Sequence, residues 1–156
     1  MKIALGNDHA GYPMKAELMA VLDTLGADVV DHGSHTPDPV DFPDIARMVC
    51  NSVRTGEADR GILLCGTGIG AAIAANKIPG IRAGVCHDVH SAHQGVEHDD
   101  MNVLCLGGQI IGAWHARDIV AAFIGAEFSG GEVLTRRVNK LRDIELDAAR
   151  ELLNLV

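Results

Sequence analysis

The residue of this chain best placed to do chemistry is Cys65, which closes the apolar run Arg60-Gly61-Ile62-Leu63-Leu64 and leads into Gly66-Thr67-Gly68-Ile69-Gly70. Glycines after a strand allow a tight turn whose main-chain N–H groups point inward, and a helix starting there adds its positive end. Such a nest binds an anion, or an oxyanion that develops during reaction. The same surroundings are expected to depress the pKa of Cys65 and supply thiolate near neutral pH. A thiolate beside an oxyanion hole suits removal of a proton from a carbon next to a carbonyl. A buried structural thiol, the role expected of Cys50, is the plainer alternative.

Two further groups offer polar chemistry. Asp8-His9 follows the first apolar run, where Asp8 can accept from a hydroxyl and His9 can meet a phosphate or move a proton. The plainer role for Asp8 is to cap the helix that begins near Pro13. His98, in Glu97-His98-Asp99-Asp100, precedes the fifth apolar run and is expected at the same edge as Cys65; alone it fits a solvated loop as well as a catalyst. His32, His35, His87, His90, His93 and His115 show no metal-binding spacing and are assigned to surface or loops, and no Cys-x-x-Cys pair suggests structural zinc. Gly66, Gly68 and Ala71 formally match a dinucleotide fingerprint, with Asp88 near the place of its ribose-binding acid. That fingerprint belongs to the first strand–turn–helix of a domain, and here it would be the third.

These residues need a frame that brings strand ends together. Apolar runs at Lys2–Gly6, Ala27–Asp31, Arg60–Cys65, Arg82–Cys86 and Asn102–Leu106 alternate with helical patterns broken by glycine or proline. Asp41 is placed to cap the helix starting near Pro43. The alternation predicts an α/β, Rossmann-like three-layer sandwich with a five-stranded parallel sheet and an additional C-terminal helix, one domain over 1–156. In such sheets ligands bind beyond the carboxyl ends of the strands. Only 3% of the residues are aromatic, so the core has to be aliphatic. The net charge of −8 argues against a nucleic-acid partner, and an anionic ligand must find a local amide or cationic pocket. The polar start and the absence of a membrane-length apolar run predict a cytoplasmic chain with Cys50, Cys65, Cys86 and Cys105 reduced and no membrane association.

Asp8-His9-Ala10-Gly11, Asp41-Phe42-Pro43, Cys65-Gly66-Thr67-Gly68-Ile69-Gly70, Ala75-Asn76-Lys77, Ser91-Ala92, His98 and Asn102-Val103-Leu104-Cys105-Leu106-Gly107 occur in the order seen in ribose-5-phosphate isomerase B and galactose-6-phosphate isomerase. The chain resembles that family over nearly its whole length. The resemblance implies an aldose–ketose isomerase of a sugar phosphate, without metal or organic cofactor. It implies a homodimer, or a dimer of dimers, with active sites at the subunit interface. Carried over, Cys65 is the base acting between C1 and C2, Thr67 and His98 assist ring opening, and Gly66, Gly68, Ile69 and Gly70 hold the enediolate oxygens. Asp8 contacts hydroxyls and His9 the phosphate, with Asp99, Gln109, Arg136 and Arg137 completing the substrate set. Gln109 and Glu132 stand where the family carries arginines, and Asp99 where it carries asparagine. Ribose 5-phosphate is the expected substrate, a four- or six-carbon sugar phosphate the alternative, and a non-catalytic nucleotide-binding module the rival from another class.

Overall fold

A computed structural model describes residues 1–155. Five strands, β1 (Lys2–Asn7), β2 (Asp28–Asp31), β3 (Arg60–Cys65), β4 (Ala83–Val85) and β5 (Val103–Gly107), form one sheet in the order β2-β1-β3-β5-β4, every pair parallel. The helices are α1 (Tyr12–Thr24), α2 (Phe42–Thr55), α3 (Ile69–Ala75), α4 (Val89–Asp99), α5 (Ala113–Gly125) and α6 (Glu132–Asn154). Among the described residues no helix is long and apolar enough to cross a membrane.

Alternation along the strands sorts the side chains into two cores. Ile3, Leu5, Ile62, Leu64, Leu104 and Leu106 point to one face and pack against α1, α4 and α5, with Leu18, Val96, Ile119 and Phe123 at the centre. Ala4, Leu63, Val103 and Cys105 point to the other, under α2 and α3, where Val49, Cys50 and Ala75 meet them. A parallel sheet covered on both faces needs strands apolar on both sides, which is why these runs are continuous rather than alternating.

The chain turns back on itself at β1. From β1 it steps to β2 on one side, and β3 then joins on the other, so the crevice at the carboxyl ends of β1 and β3 is a topological switch point. Asp41 takes the N-cap position of α2, but its carboxylate makes no capping bond; the main-chain oxygen accepts from Asp44 N at 3.1 Å instead. The 23-residue α6 differs from the other helices because none of its residues is buried. Leu141, Ile144, Leu146, Leu152 and Leu153 are all exposed along it.

Candidate active site

Asp8 and Cys65 meet at the switch point. The Asp8 amide donates to Leu64 O at 3.1 Å, which carries the β1–β3 ladder one residue beyond the strands. Asp8 is 5% exposed, and one carboxylate oxygen accepts from the amides of Ala10 and Gly11, each at 2.9 Å. Asp8 therefore does not cap α1, whose N-cap is Gly11 and has no side-chain capping bond; it shapes the turn that leads into the helix. Its carboxylate also bears on the Cys65 thiol and disfavours the thiolate.

Cys65 is half-buried at the end of β3. Its sulfur lies against the amides of Gly68 and Gly66, which favour the thiolate as the glycine-rich turn suggested. They do not win. Burial pushes the thiol pKa up, and the Asp8 carboxylate pushes it up further. In the single chain Cys65 therefore rests as a thiol above its ordinary range, opposite to the depression expected from the turn alone.

The turn itself is built around Gly68, whose φ of +79° lies in the left-handed region and whose missing side chain lets it approach the backbone of Leu106. Gly66 and Gly68 are buried, while Thr67 and Ile69 face outward. Thr67 Oγ1 accepts from Ile69 N at 3.3 Å. Two neighbours close the turn from the sides. The Gln109 side chain lies over Gly66, so that a Cβ there would sit 3.1 Å from Oε1. The Phe42 ring lies over Gly70, where a Cβ would meet it at 3.1 Å. Phe42 was not among the residues singled out as candidates, because an aromatic opening a helix gives no sign of what it will cover.

The β5–α5 turn is stitched to the same place. Gly108 N donates to Cys65 O at 2.8 Å and Gln109 N to Gly66 O at 3.0 Å. Gln109 is thus at the site, and His9 stands exposed beside Asp8.

His98 and Asp99 are not at this edge. Helix α4 runs back from the carboxyl end of β4, so its last turn falls at the amino end of β5. There the neighbouring Asp100 binds Arg82 at 2.6 Å, at the start of β4. β5 has five residues, which at roughly 3.3 Å each separates the two edges by about 15 Å. The expectation that His98 shares the edge of Cys65 is overturned for a single chain, and the cause is the direction of α4. His98 Nε2 lies 3.9 Å from Glu97, half exposed. Arg136 and Arg137 are exposed on the first turns of α6.

Asp88, the candidate ribose-binding acid, has its carboxylate engaged: Ser91 N donates to it at 2.7 Å and Ser91 Oγ at 2.6 Å, capping α4. That disposes of the dinucleotide reading at its one acidic residue. His87, assigned to surface or loops, lies in the β4–α4 connection, where it accepts a hydrogen bond from Gly107 N through Nε2 at 3.2 Å.

A parallel α/β sheet with a cysteine and an amide-lined turn at its switch point defines a class of enzyme, and the chain's relatives narrow it. The ribose/galactose isomerase family matches residues 3–141, so the chain belongs to that family and is an aldose–ketose isomerase. It is 44% identical over 144 residues to ribose-5-phosphate isomerase B of Escherichia coli, covering 92% of this chain and 96% of that one. It is 40% identical over 134 residues to D-erythrulose-4-phosphate isomerase of Pectobacterium atrosepticum, covering 84% and 87%. The solved structure of Clostridium thermocellum ribose-5-phosphate isomerase B superposes with a TM-score of 0.92 at 46% identity, covering 95% of this chain and 99% of that one.

Proposed function

We propose that this chain interconverts ribose 5-phosphate and ribulose 5-phosphate through an enediolate, with Cys65 as the base. The observation that carries this is the sulfur of Cys65 at the switch point, faced by the amides of Gly66 and Gly68. After Thr67 and His98 assist ring opening, the Cys65 thiolate takes the proton from C2. The electron pair passes to the carbonyl carbon and onto O1, where the amides hold the negative charge. The O2 hydroxyl proton passes to O1, which leaves the negative charge on O2. The protonated sulfur then returns its proton to C1 as the double bond shifts to C2–O2. No atom is gained or lost, which suits an intramolecular transfer.

The thiol must first lose its proton. Asp8 is the group that can let this happen on binding: a sugar hydroxyl donating to Asp8 would engage that carboxylate, and the remaining neighbours of the sulfur are the amides that favour the thiolate.

His98 can serve this site only from a second copy of the chain, since its own copy holds it at the far edge. The same copy would bring Asp99, Arg136 and Arg137. Helix α6, with no buried residue and a row of exposed leucines, is the surface left for that copy to cover. The reading is therefore a homodimer, or a dimer of dimers, with each site at the interface; membership of a family of small-molecule enzymes favours the cytoplasm.

A four-carbon substrate is the second reading. It is favoured by Gln109, uncharged where the family carries arginine, and by the likeness to the Pectobacterium enzyme. A hydrogen bond to a charged group contributes roughly 1.5–3 kcal/mol, so the missing arginine should weaken phosphate binding about tenfold or more unless Arg137 compensates. Measuring kcat/KM for ribose 5-phosphate, erythrose 4-phosphate and six-carbon aldose 6-phosphates separates the two. Ribose 5-phosphate should lead, with activity lost in Arg137→Ala. A four- or six-carbon substrate leading by more than about tenfold would overturn the ribose assignment.

A further inference from the structure

Strand β4 stops short. It has three residues, and its last paired residue, Val85, lies opposite Cys105. Cys86 N still donates to Cys105 O at 3.2 Å, and with that the backbone pairing ends. In a parallel ladder alternate residues turn their peptide groups to the same neighbour, so the next β5 amide facing β4 is that of Gly107. Gly107 is buried, and an unpartnered buried amide is costly. The His87 imidazole supplies the partner: Nε2 accepts from Gly107 N at 3.2 Å, which places the ring's own hydrogen on Nδ1.

Gly107 is the register partner of Cys65, and it opens the turn whose next two amides bind Cys65 O and Gly66 O. The packing there is tight. A side chain on Gly107 would come within 2.9 Å of both His87 Nε2 and the Thr67 backbone. The β5–α5 turn thus has two anchors, Cys65-Gly66 on one side and His87 on the other.

We propose that His87 is a positioning residue: as a neutral imidazole it replaces the missing end of β4, holds the Gly107–Gln109 turn against Cys65 and Gly66, and releases that turn when protonated. A protonated ring carries hydrogen on both nitrogens and has nothing to offer an amide donor. Histidine is the side chain whose charge ordinarily changes between pH 5 and 8. The titratable groups around it are Cys86 just after β4, Asp88 and His90 at the start of α4, and Cys65 across the turn. Burial holds the Cys86 thiol up at about 11, and Asp88 is taken by Ser91. Neither is free to stand in for the lost acceptor. The inference rests on the proposed site, because Gln109 matters to KM only if the turn meets substrate.

His87→Gln keeps an acceptor in reach of Gly107 and removes the titration; His87→Ala removes both. At pH 8 with ribose 5-phosphate, His87→Ala should raise KM at least about fivefold with a smaller change in kcat, and His87→Gln should restore KM to within about twofold. Between pH 8 and 5.5 the wild-type KM should rise at least about threefold more than that of His87→Gln, the substrate's own titration being common to both. A His87→Ala KM equal to wild type, or an identical acid rise in His87→Gln, overturns the proposal. Hydrogen exchange separates this from a wrong substrate and needs no activity. Corrected for intrinsic rate, wild-type protection over residues 104–112 should fall from pH 7.5 to 5.5 and that of His87→Gln should hold. Equal behaviour of the two proteins overturns it, whatever the substrate proves to be.

Discussion

At the scale of single residues the chemistry turns on one sulfur caught between opposing neighbours. The amides of Gly68 and Gly66 favour its thiolate, but burial and the Asp8 carboxylate outweigh them. Alkylation of the free protein by iodoacetamide should accordingly keep accelerating beyond pH 9, past the range in which an ordinary thiol has ionised. Asp8→Asn removes the charge and leaves an oxygen for Ala10 and Gly11. It should move the alkylation midpoint to lower pH, though not fully to the ordinary value, because burial is the larger cause. A midpoint unchanged or higher in Asp8→Asn would show that the two side chains do not interact. This balance was not legible in the sequence. The Gly-rich turn announces the amides, whereas Asp8 lies far back in the chain and reaches Cys65 only because β1 and β3 are neighbours in register.

At the scale of elements the sequence was far more informative. Each strand is expected within a few residues of its place, because apolar runs ended by glycine or proline leave little freedom in where β1 or β3 can stop. What it did not deliver was direction. The residues before β5 must lie at its amino end, so α4 carries His98 away from the edge that holds Cys65. His87 escaped notice for a related reason, since its partner Gly107 belongs to a different element. The helix–sheet interfaces also fix how stability depends on pH. Burial raises the Cys50 thiol to about 12 and the Cys86 thiol to about 11, and raises that of Cys105 as well. These thiols keep their protons in the folded chain when the unfolded chain has released them. The stabilisation is complete below the unfolded value and is lost as pH rises through the folded ones. Each such thiol should remove up to about 1.4 kcal/mol per pH unit above about 9. Urea midpoints should fall between pH 8.5 and 10.5, and should fall less in Cys50→Ala measured against its own value at pH 8.5. A flat profile would mean that these thiols ionise as freely folded as unfolded.

At the scale of the whole molecule, the single chain holds half of what its proposed reaction needs. The sulfur, its amides, Asp8 and Gln109 share one edge, while His98 and Asp99 stand at the other and α6 leaves its leucines uncovered. A second copy of the chain resolves both facts if it brings its own His98 to the Cys65 of the first. Cys65→Ala should lower kcat by several orders of magnitude and His98→Asn should be strongly impaired. The most direct measurement is to coexpress these two variants under different tags, isolate the mixed dimer and assay it with ribose 5-phosphate. In each mixed dimer one site would lose both residues and the other would keep both. Its kcat per dimer should therefore recover to about half that of wild type, far above either parent. A mixed dimer as inactive as its parents, or a chain that is monomeric in light scattering at assay concentration, would contradict a site shared between two copies.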